Sequence, residues 1–320
     1  MLVLVAPGQG AQKPGLLTPW LQLPGAADRL AEWSAAVDLD LVHYGTEADA
    51  DAIRDTAVAQ PLLVATALLS ADALLGRPDG AAPADVPGAD VLGAVAGHSV
   101  GELAAASVAG VLSPAEAMAL VRTRGRAMAE AAAVTETGMS AVLGGEQEAV
   151  TAHLEKLGLT PANVNGAGQI VAAGTTEQLA ALAEDKPEGA RVRPLPVAGA
   201  FHTRYMAPAA DTMADAVRNV VPRDPAVRYV SNLDGAPVGE GAEVLRRLVG
   251  QISAPVRWDL CMDTFQELGI SALVELCPGG TLTGLAKRAL PGVRTLALKS
   301  PDDLDAAREL IAENARATTA

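Results

Sequence analysis

Residues 91–110 read V-L-G-A-V-A-G-H-S-V-G-E-L-A-A-A-S-V-A-G. A short apolar run leads into G-H-S-V-G, and small helix-tolerant residues follow, with Glu102 in their first turn. This pattern predicts a strand, a sharp turn and a helix. Glycines on both sides of Ser99 permit a strained turn that exposes its hydroxyl at a helix N-terminus, where N–H groups favour developing negative charge. G-x-S-x-G alone also fits a plain Gly-Ser turn, so the flanking strand and helix carry the prediction of a nucleophile.

The composition predicts a globular protein that does not bind nucleic acid. The 320 residues are enough for one or two domains, and 50% are hydrophobic while 19% are charged. A net charge of −14 opposes contact with phosphates, which needs clustered Lys and Arg. Cys261 and Cys277 lie in apolar sequence without metal-ligand spacing. We therefore expect buried reduced thiols and no metal site.

The N-terminal residues predict a first strand and not a signal peptide. Residues 1–6, M-L-V-L-V-A, have no positively charged beginning and run directly into Pro7-Gly8. No apolar run is expected to reach the length that crosses a bilayer. These features predict a cytoplasmic enzyme without membrane contact, and nothing in the sequence requires more than a monomer.

Three further stretches before the serine motif are informative. Residues 7–10, P-G-Q-G, form a glycine-rich turn that either directs N–H groups at an anion or only connects a strand to a helix. Residues 56–71 carry no charge and predict a buried helix in which Gln60 is the polar exception. Residues 77–88 are rich in Pro, Gly and Asp and predict a loop.

The helix after the serine motif carries three alternating arginines. Ser113-Pro114 predicts its start, with Ser as the N-cap, and it extends to about residue 133. Arg122, Arg124 and Arg126 cannot share one helical face. At least one of them should therefore point inward, although surface arginines are the commoner case.

The middle of the chain changes pattern. Residues 139–196 alternate short strands and helices in a β-α-β-β-α-β order, which is typical of a ferredoxin-like subdomain. We therefore divide the chain into a large domain, residues 1–133 and 198–320, and an insert, residues 134–197. Asn163 and Asn165 would face the same side of a strand, either as site residues or as turn-forming asparagines.

His202 is the best candidate for a base. Besides the serine motif's own His98, only His153 and His202 follow residue 91, and His153 lies mid-helix among polar residues. Imidazole can take a hydroxyl proton near neutral pH, although a lone histidine is often structural. The last third of the chain returns to alternating strands and helices, so the large domain is predicted to be α/β with a mainly parallel sheet.

Seven motifs occur in one order along nearly the whole chain. They are P-G-Q-G (7–10), G-H-S-V-G-E (97–102), R-G (124–125), N-V-N (163–165), G-A-F-H (199–202), Q-I-S-A-P-V-R-W (251–258) and P-G-G-T-L-T-G-L (278–285). Together they closely resemble malonyl-CoA:acyl carrier protein transacylases. The resemblance implies an α/β-hydrolase-like domain with a ferredoxin-like subdomain, and transfer of malonyl from malonyl-CoA to acyl carrier protein for fatty acid or polyketide synthesis. It implies no cofactor.

The resemblance also assigns roles to residues. Ser99 matches the nucleophile, His202 its general base, and Gln251 the position that orients the histidine. The backbone N–H groups of Gln9 and Val100 match the oxyanion hole.

The same resemblance implies a binding site for the acyl group. Arg124 matches the arginine that pairs with the free carboxylate of malonate. Phe201 matches a residue associated with malonyl rather than methylmalonyl selectivity, because its ring fills the space of an α-methyl group. The remaining pocket residues it implies are His98, Gln60, Asn163 and Asn165.

An acidic carrier protein would need a local basic patch on this acidic chain. Candidate docking residues are Lys287, Arg288, Arg191 and Arg193. Two alternatives to the transferase stay open: a serine esterase or thioesterase, and a non-catalytic scaffold that binds coenzyme A or carrier protein. The hydrolase order of Ser, acid and late His is disfavoured, because no histidine follows His202.

Overall fold

A computed structural model describes residues 1–76, 92–197 and 199–319. The described strands are β1 (Leu2–Ala6), β2 (Leu92–Gly97), β3 (Thr137–Gly144), β4 (Thr160–Gly166), β5 (Gln169–Thr175), β6 (Ala190–Pro194), β7 (Tyr229–Val230), β8 (Pro237–Val238), β9 (Val256–Arg257), β10 (Ala272–Glu275) and β11 (Arg294–Ala297). The described α-helices are α1 (Ala26–Val37), α2 (Leu41–Thr46), α3 (Thr56–Leu75), α4 (Gly101–Ala109), α5 (Pro114–Ala132), α6 (Gln147–Lys156), α7 (Thr176–Glu184), α8 (Ala207–Val217), α9 (Gly241–Gly250), α10 (Trp258–Glu267), α11 (Thr281–Ala289) and α12 (Leu304–Thr319).

Six strands form the larger sheet in the order β11-β10-β1-β2-β7-β8, in which only the β7–β8 pair is antiparallel. Leu4 of β1 faces an apolar layer that contains α3, α4 and α5, whereas Val3 faces a second layer with α10 and α11. A parallel sheet buried on both faces requires such continuous apolar strands. The predicted α/β-hydrolase-like domain is therefore confirmed.

The register of the two central strands positions the candidate site. Ala6 at the end of β1 pairs with Gly97 at the end of β2. Because the carboxyl ends of parallel strands lie at one edge of a sheet, the turn at residues 7–10 and the turn at Ser99 are neighbours.

Helix α3 corrects one expectation from the sequence. It is the one helix among the described residues that is long and apolar enough to cross a membrane, with 20 residues and a mean hydropathy of 1.7. The expectation that no apolar run reaches this length is therefore wrong. The physical reason is packing: α2, α4, α5 and α12 surround α3, and 89% of its apolar window is buried. A helix covered on all sides is apolar all round.

The second sheet has the order β6-β3-β5-β4-β9. Strands β3 to β6 with α6 and α7 have the predicted β-α-β-β-α-β order and pair antiparallel, so the ferredoxin-like subdomain is confirmed. Its own apolar core includes Val142, Leu154 and Ile170. Strand β9 pairs parallel with β4 and comes from beyond the proposed insert. The boundaries of the insert at residues 134–197 stay a prediction.

Other local predictions have clear outcomes. Ser113 caps α5 in a capping box with Glu116. Cys261 and Cys277 are buried free thiols, as expected. Strand β7 has only two residues, and both of them pair with β2. The loop predicted at residues 77–88 lies outside the described residues.

Candidate active site

The turn at Ser99 joins β2 to α4, as predicted from the sequence. Ser99 has a left-handed backbone, with φ of +53°. A Cβ at Gly97 would lie 2.0 Å from the carbonyl carbon of Gly101, and a Cβ at Gly101 would lie 2.3 Å from the carbonyl oxygen of Ala6. The flanking glycines are therefore needed, because at both positions the backbone packs directly against other backbone atoms. The left-handed backbone of Ser99 is strained, and such strain is common at functional positions.

His202 lies against the serine. The Ser99 hydroxyl is 2.7 Å from His202 Nε2, and His202 Nδ1 is 2.8 Å from the backbone carbonyl oxygen of Gln251. A carbonyl can only accept a hydrogen bond, so we assign the proton to Nδ1. Nε2 is then free to accept from Ser99. The backbone of His202 is also left-handed, with φ of +60°.

Burial keeps His202 uncharged. Desolvation, followed by the nearby Arg124 cation, lowers the pKa of His202 to about 3. The imidazole is therefore neutral at physiological pH, which is the form that can take a proton from a hydroxyl.

Arg124 points inward beneath Ser99. Its Nη1 donates to Gln60 Oε1 at 2.6 Å, and its Nη2 donates to Gln251 Oε1 at 2.7 Å and to Ser99 Oγ at 3.3 Å. Burial lowers its pKa to about 10, so the guanidinium stays protonated at neutral pH. Arg124 is 2% exposed while Arg126 is exposed, which agrees with the prediction that at least one arginine of this helix points inward.

The turn at residues 7–10 packs directly on the serine turn, since a Cβ at Gly8 would lie 2.8 Å from the carbonyl oxygen of His98. The N–H of Ser99 is already donated to Asn232 Oδ1 at 2.7 Å. In contrast, the N–H groups of Gln9 and Val100 have no hydrogen-bond partner among the described residues. These two groups are therefore available to an oxyanion.

A cleft of about 270 Å³ opens above Ser99, between the larger sheet and the second sheet. The predicted residues on its wall are Gln9, Gln60, His98, Ser99, Asn163, Asn165, Phe201 and His202. Its apolar wall includes Met128, Met139, Val171, Leu195, Val197, Leu282 and Leu285. Arg124 and Gln251 lie behind Ser99. The predicted residues thus lie together around Ser99, although Arg124, which the resemblance assigns to the acyl carboxylate, contacts Ser99 Oγ without lining the cleft wall.

His98 and Asn165 form one side of the cleft. His98 Nε2 lies 2.8 Å from Asn165 Oδ1, and burial lowers the pKa of His98. Asn163 lies two residues earlier on β4 and also faces the cleft. Their place on a strand fits the site-lining interpretation rather than the turn-forming one.

Two residues of the site were missed from the sequence, Asn232 and Glu102. The side chain of Asn232 accepts from the Ser99 N–H and donates to the Gly97 carbonyl at 2.6 Å, and its backbone N–H donates to Glu102 Oε1. Asn232 therefore holds both sides of the strained turn. Its signal in the sequence is a polar pair, Ser231-Asn232, at the carboxyl end of a strand beside β2.

The four candidate docking residues lie on elements that also border the cleft. Lys287 and Arg288 are exposed on α11, whose other face lines the cleft. Arg191 and Arg193 are exposed on β6, which leads into the cleft residue Leu195. Within the described part of the chain, no group of three or more His, Cys, Asp or Glu side chains is placed to hold a metal ion.

Comparisons with known proteins agree with this geometry. Residues 3–303 match the family model of the acyl transferase domain. A malonyl CoA-acyl carrier protein transacylase of Mycobacterium tuberculosis is 54% identical over 305 residues, which cover 95% of this chain and 98% of the relative. The Escherichia coli K12 protein of the same name is 34% identical over 313 residues, covering 96% and 98%.

Solved structures give the same result. The crystal structure of MCAT from M. tuberculosis has a TM-score of 0.89 and 53% identity, covering 96% of this chain and 99% of that one. The acyl-carrier-protein-S-malonyltransferase from Bartonella henselae has a TM-score of 0.90 and 30% identity, covering 97% and 99%. The chain belongs to the acyl transferase family, among the malonyl CoA-acyl carrier protein transacylases.

Proposed function

We propose that this chain transfers a malonyl group from malonyl-CoA to the pantetheine thiol of acyl carrier protein through an ester on Ser99. One observation carries the proposal: Ser99 Oγ lies 2.7 Å from a neutral imidazole nitrogen and 3.3 Å from the guanidinium of Arg124. A nucleophile, a base and a cation for the acyl carboxylate thus meet at one oxygen atom.

In the first half-reaction, His202 Nε2 takes the hydroxyl proton as Ser99 Oγ attacks the thioester carbonyl. The carbonyl oxygen becomes an oxyanion, and the N–H groups of Gln9 and Val100 are placed to stabilise it. The tetrahedral intermediate then breaks its C–S bond. The proton held by His202 passes to the sulfur, so coenzyme A leaves as a thiol and malonyl remains as an ester on Ser99.

The second half-reaction runs the same steps in reverse with a new thiol. His202 takes the proton of the pantetheine thiol, and the sulfur attacks the ester carbonyl in the same oxyanion hole. The C–O bond to Ser99 breaks, and the proton returns to the serine oxygen. The carbonyl of Gln251 holds the His202 Nδ1–H through both steps, which keeps Nε2 directed at the reacting atoms.

Arg124 is the proposed partner of the free malonyl carboxylate. A guanidinium can bind a carboxylate through two parallel hydrogen bonds. Gln60 and Gln251 hold its two terminal nitrogens. This restraint favours an acyl group with a carboxylate over acetyl. Phe201 would restrict the space at the α-carbon, while His98, Asn163 and Asn165 would line the acyl pocket.

The wider assignments follow the same proposal. The reaction needs no metal or cofactor, because every proton it moves has a protein partner. Lys287, Arg288, Arg191 and Arg193 would receive the acidic carrier protein, whose pathway can be fatty acid or polyketide synthesis. The net charge of −14 opposes contact with nucleic-acid phosphates, and the burial of α3 inside the fold opposes its insertion into a membrane. A cytoplasmic monomer is the simplest form of the enzyme that we propose.

Intact-protein mass spectrometry after brief exposure to malonyl-CoA tests the proposal. We expect one malonyl adduct on the natural protein, none on Ser99→Ala, and little adduct with acetyl-CoA. Ser107→Ala is the matched control, because Ser107 is a buried serine on α4 outside the cleft, and it should keep the adduct. Free malonate without an adduct would favour a thioesterase or esterase. Neither adduct nor turnover would favour a binding scaffold.

A further inference from the structure

Glu102 is a buried carboxylate that none of the steps above uses. It lies in the first turn of α4 with 0% of its surface exposed. Its Oε1 accepts from the backbone N–H of Asn232 at 2.6 Å, and its Oε2 accepts from the side-chain amide of Gln251. Both carboxylate oxygens are therefore acceptors for fixed donors.

Glu102 and the backbone carbonyl of Ser99 together fix the orientation of the Gln251 amide. Its Nε2 donates to Glu102 and to the backbone carbonyl of Ser99, the latter at 2.8 Å. Its Oε1 accepts from Arg124 Nη2 at 2.7 Å. An amide can donate only at its nitrogen and accept only at its oxygen. With a carboxylate at Glu102, the amide oxygen must face Arg124.

Glu102 also compensates the buried charge of Arg124. Among the described residues, no carboxylate contacts the Arg124 guanidinium directly, and both glutamine partners are neutral. A buried cation without compensation is costly. Glu102 supplies a compensating negative charge through the Gln251 amide, which hydrogen-bonds both Glu102 and Arg124. The guanidinium therefore has a nearby negative charge without a direct ion pair.

We propose that Glu102 is a positioning residue that acts through Gln251 to hold Arg124 for the carboxylate of the acyl group, and so sets the preference for malonyl over acetyl. This inference rests on the proposed role of Arg124. The Glu102 carboxylate would thus determine selectivity without touching the substrate.

The ionisation of Glu102 should make malonyl transfer depend on pH. Burial raises the pKa of Glu102 to about 7, and the titratable groups that face it are Arg124 on α5, Tyr229 on β7 and Cys261 on α10. Burial raises the pKa of both Tyr229 and Cys261, so these two stay uncharged. If Glu102 were protonated, its O–H would face a group that already donates to it, either the Asn232 N–H or the Gln251 side-chain amide. Protonation would therefore break one of these two hydrogen bonds.

Malonyl transfer should therefore be full above pH 7 and fall as the pH drops through about 7. His202 cannot produce this decrease, because its pKa is lowered to about 3. Acetyl transfer, which does not need the carboxylate contact, should lack the decrease. This comparison uses the natural protein alone and does not depend on any variant folding.

Glu102→Gln is the principal variant. It keeps the shape but turns one oxygen into an NH₂ group, which must meet either the Asn232 N–H or the Gln251 amide donor. We expect kcat/KM for malonyl-CoA to fall by up to about 100-fold, as for a displaced binding group, while the value for acetyl-CoA changes little. The decrease in malonyl transfer near pH 7 should disappear.

Glu275→Gln is the matched control. Glu275 is also 0% exposed, and its carboxylate accepts from the backbone N–H groups of Gly280, Leu282 and Thr283. This substitution removes a carboxylate that is as buried as that of Glu102. It leaves the hydrogen bonds that connect Glu102, Gln251 and Arg124 unchanged. We expect the ratio of malonyl to acetyl transfer, and its pH profile, to stay unchanged.

The outcomes separate this inference from the function proposed above. If Arg124→Ala loses malonyl preference while Glu102→Gln keeps the ratio, the role of Glu102 is wrong and the proposed function stands. The control for Arg124→Ala is Arg126→Ala, which changes an exposed arginine on the same helix. If both variants keep the preference for malonyl over acetyl, the proposed role of Arg124 is wrong. If malonyl and acetyl transfer by the natural protein decrease equally as the pH drops through about 7, ionisation of Glu102 does not set the preference and the inference is also wrong.

Discussion

Ser99 and His202 have the same left-handed backbone but are held in different ways. The Ser99 turn is fixed by a sheet strand, a helix, two glycines and the Asn232 side chain. The described residues 199–203, which include His202, belong to neither a helix nor a strand. This loop is held by side-chain contacts, among them Thr137 Oγ1, which accepts from the N–H of Ala200 at 3.0 Å, and by the Gln251 carbonyl on Nδ1.

The difference shows that the two halves of the candidate dyad rely on different kinds of interaction. The nucleophile depends on close backbone packing, which a single added methyl group would destroy. The base depends on a few hydrogen bonds from distant parts of the chain. Substitutions in the serine turn should therefore mainly lower the stability of the fold. Substitutions in the histidine loop should mainly lower activity while the fold is kept.

Gly97→Ala should have the largest effect. Its Cβ would lie 2.0 Å from a backbone carbon, whereas a Cβ at Gly199, near His202, would first meet the Ala132 side chain at 2.6 Å. We expect Gly97→Ala to destabilise the protein by more than about 3 kcal/mol or to prevent folding, and Gly199→Ala to cost less. Chemical denaturation measures both. Equal losses would contradict the contrast between the two regions.

His202→Ala should leave the fold intact but slow the formation of the malonyl adduct. Loss of a general base typically costs about 10²- to 10⁴-fold in rate. Stopped-flow or quenched-flow mass spectrometry would measure the adduct. His153→Ala is the control, because this histidine lies on α6 and contacts the Asp185 carbonyl. A similar loss in both variants would show that His202 acts only structurally.

Asn232→Ala should affect both stability and rate. The side chain makes one hydrogen bond to each side of the Ser99 turn, and their loss leaves a buried N–H and a buried carbonyl without partners. We expect a destabilisation of about 1–3 kcal/mol per unsatisfied group and slower acylation. Thermal unfolding and adduct kinetics on the same sample test this. Unchanged kinetics would mean that the glycines alone fix the turn.

Charge reversal of Lys287 and Arg288 should have the smallest effect, because it touches neither half of the dyad. Exposed charge pairs contribute about 0.2–1 kcal/mol each and are screened by salt. We expect weaker transfer to acyl carrier protein at low salt and unchanged adduct formation from malonyl-CoA. If both steps weakened together, the docking assignment would be wrong.

Local sequence was sufficient for the serine turn. Glycine spacing and the flanking strand and helix predict it because the strain there has a local cause. The inward arginine followed partly from helical periodicity, but the choice of Arg124 needed the family resemblance. His202 followed from the scarcity of histidines, not from any pattern around it.

Glu102 and Asn232 could not be predicted in the same way. Asn232 reaches Ser99 only because β7 pairs with β2 across more than 130 residues of sequence. Glu102 looked like an ordinary acidic residue in the first turn of a helix, which usually faces water. Its burial depends on Gln251 and β7, both brought in by tertiary packing. The wrong prediction that no apolar run is long enough to cross a membrane has a similar cause. The local sequence of α3 does not show which helices bury it.

The complete burial of α3 has a consequence during synthesis. At ~5–20 residues per second, α3 leaves the ribosome several seconds before α5. The last helix that covers it, α12, follows much later in the sequence. For that time the nascent protein presents an apolar segment of membrane-spanning length. We expect newly made chains to depend on chaperones until α4 and α5 fold over it, and truncation before α12 to prolong that dependence.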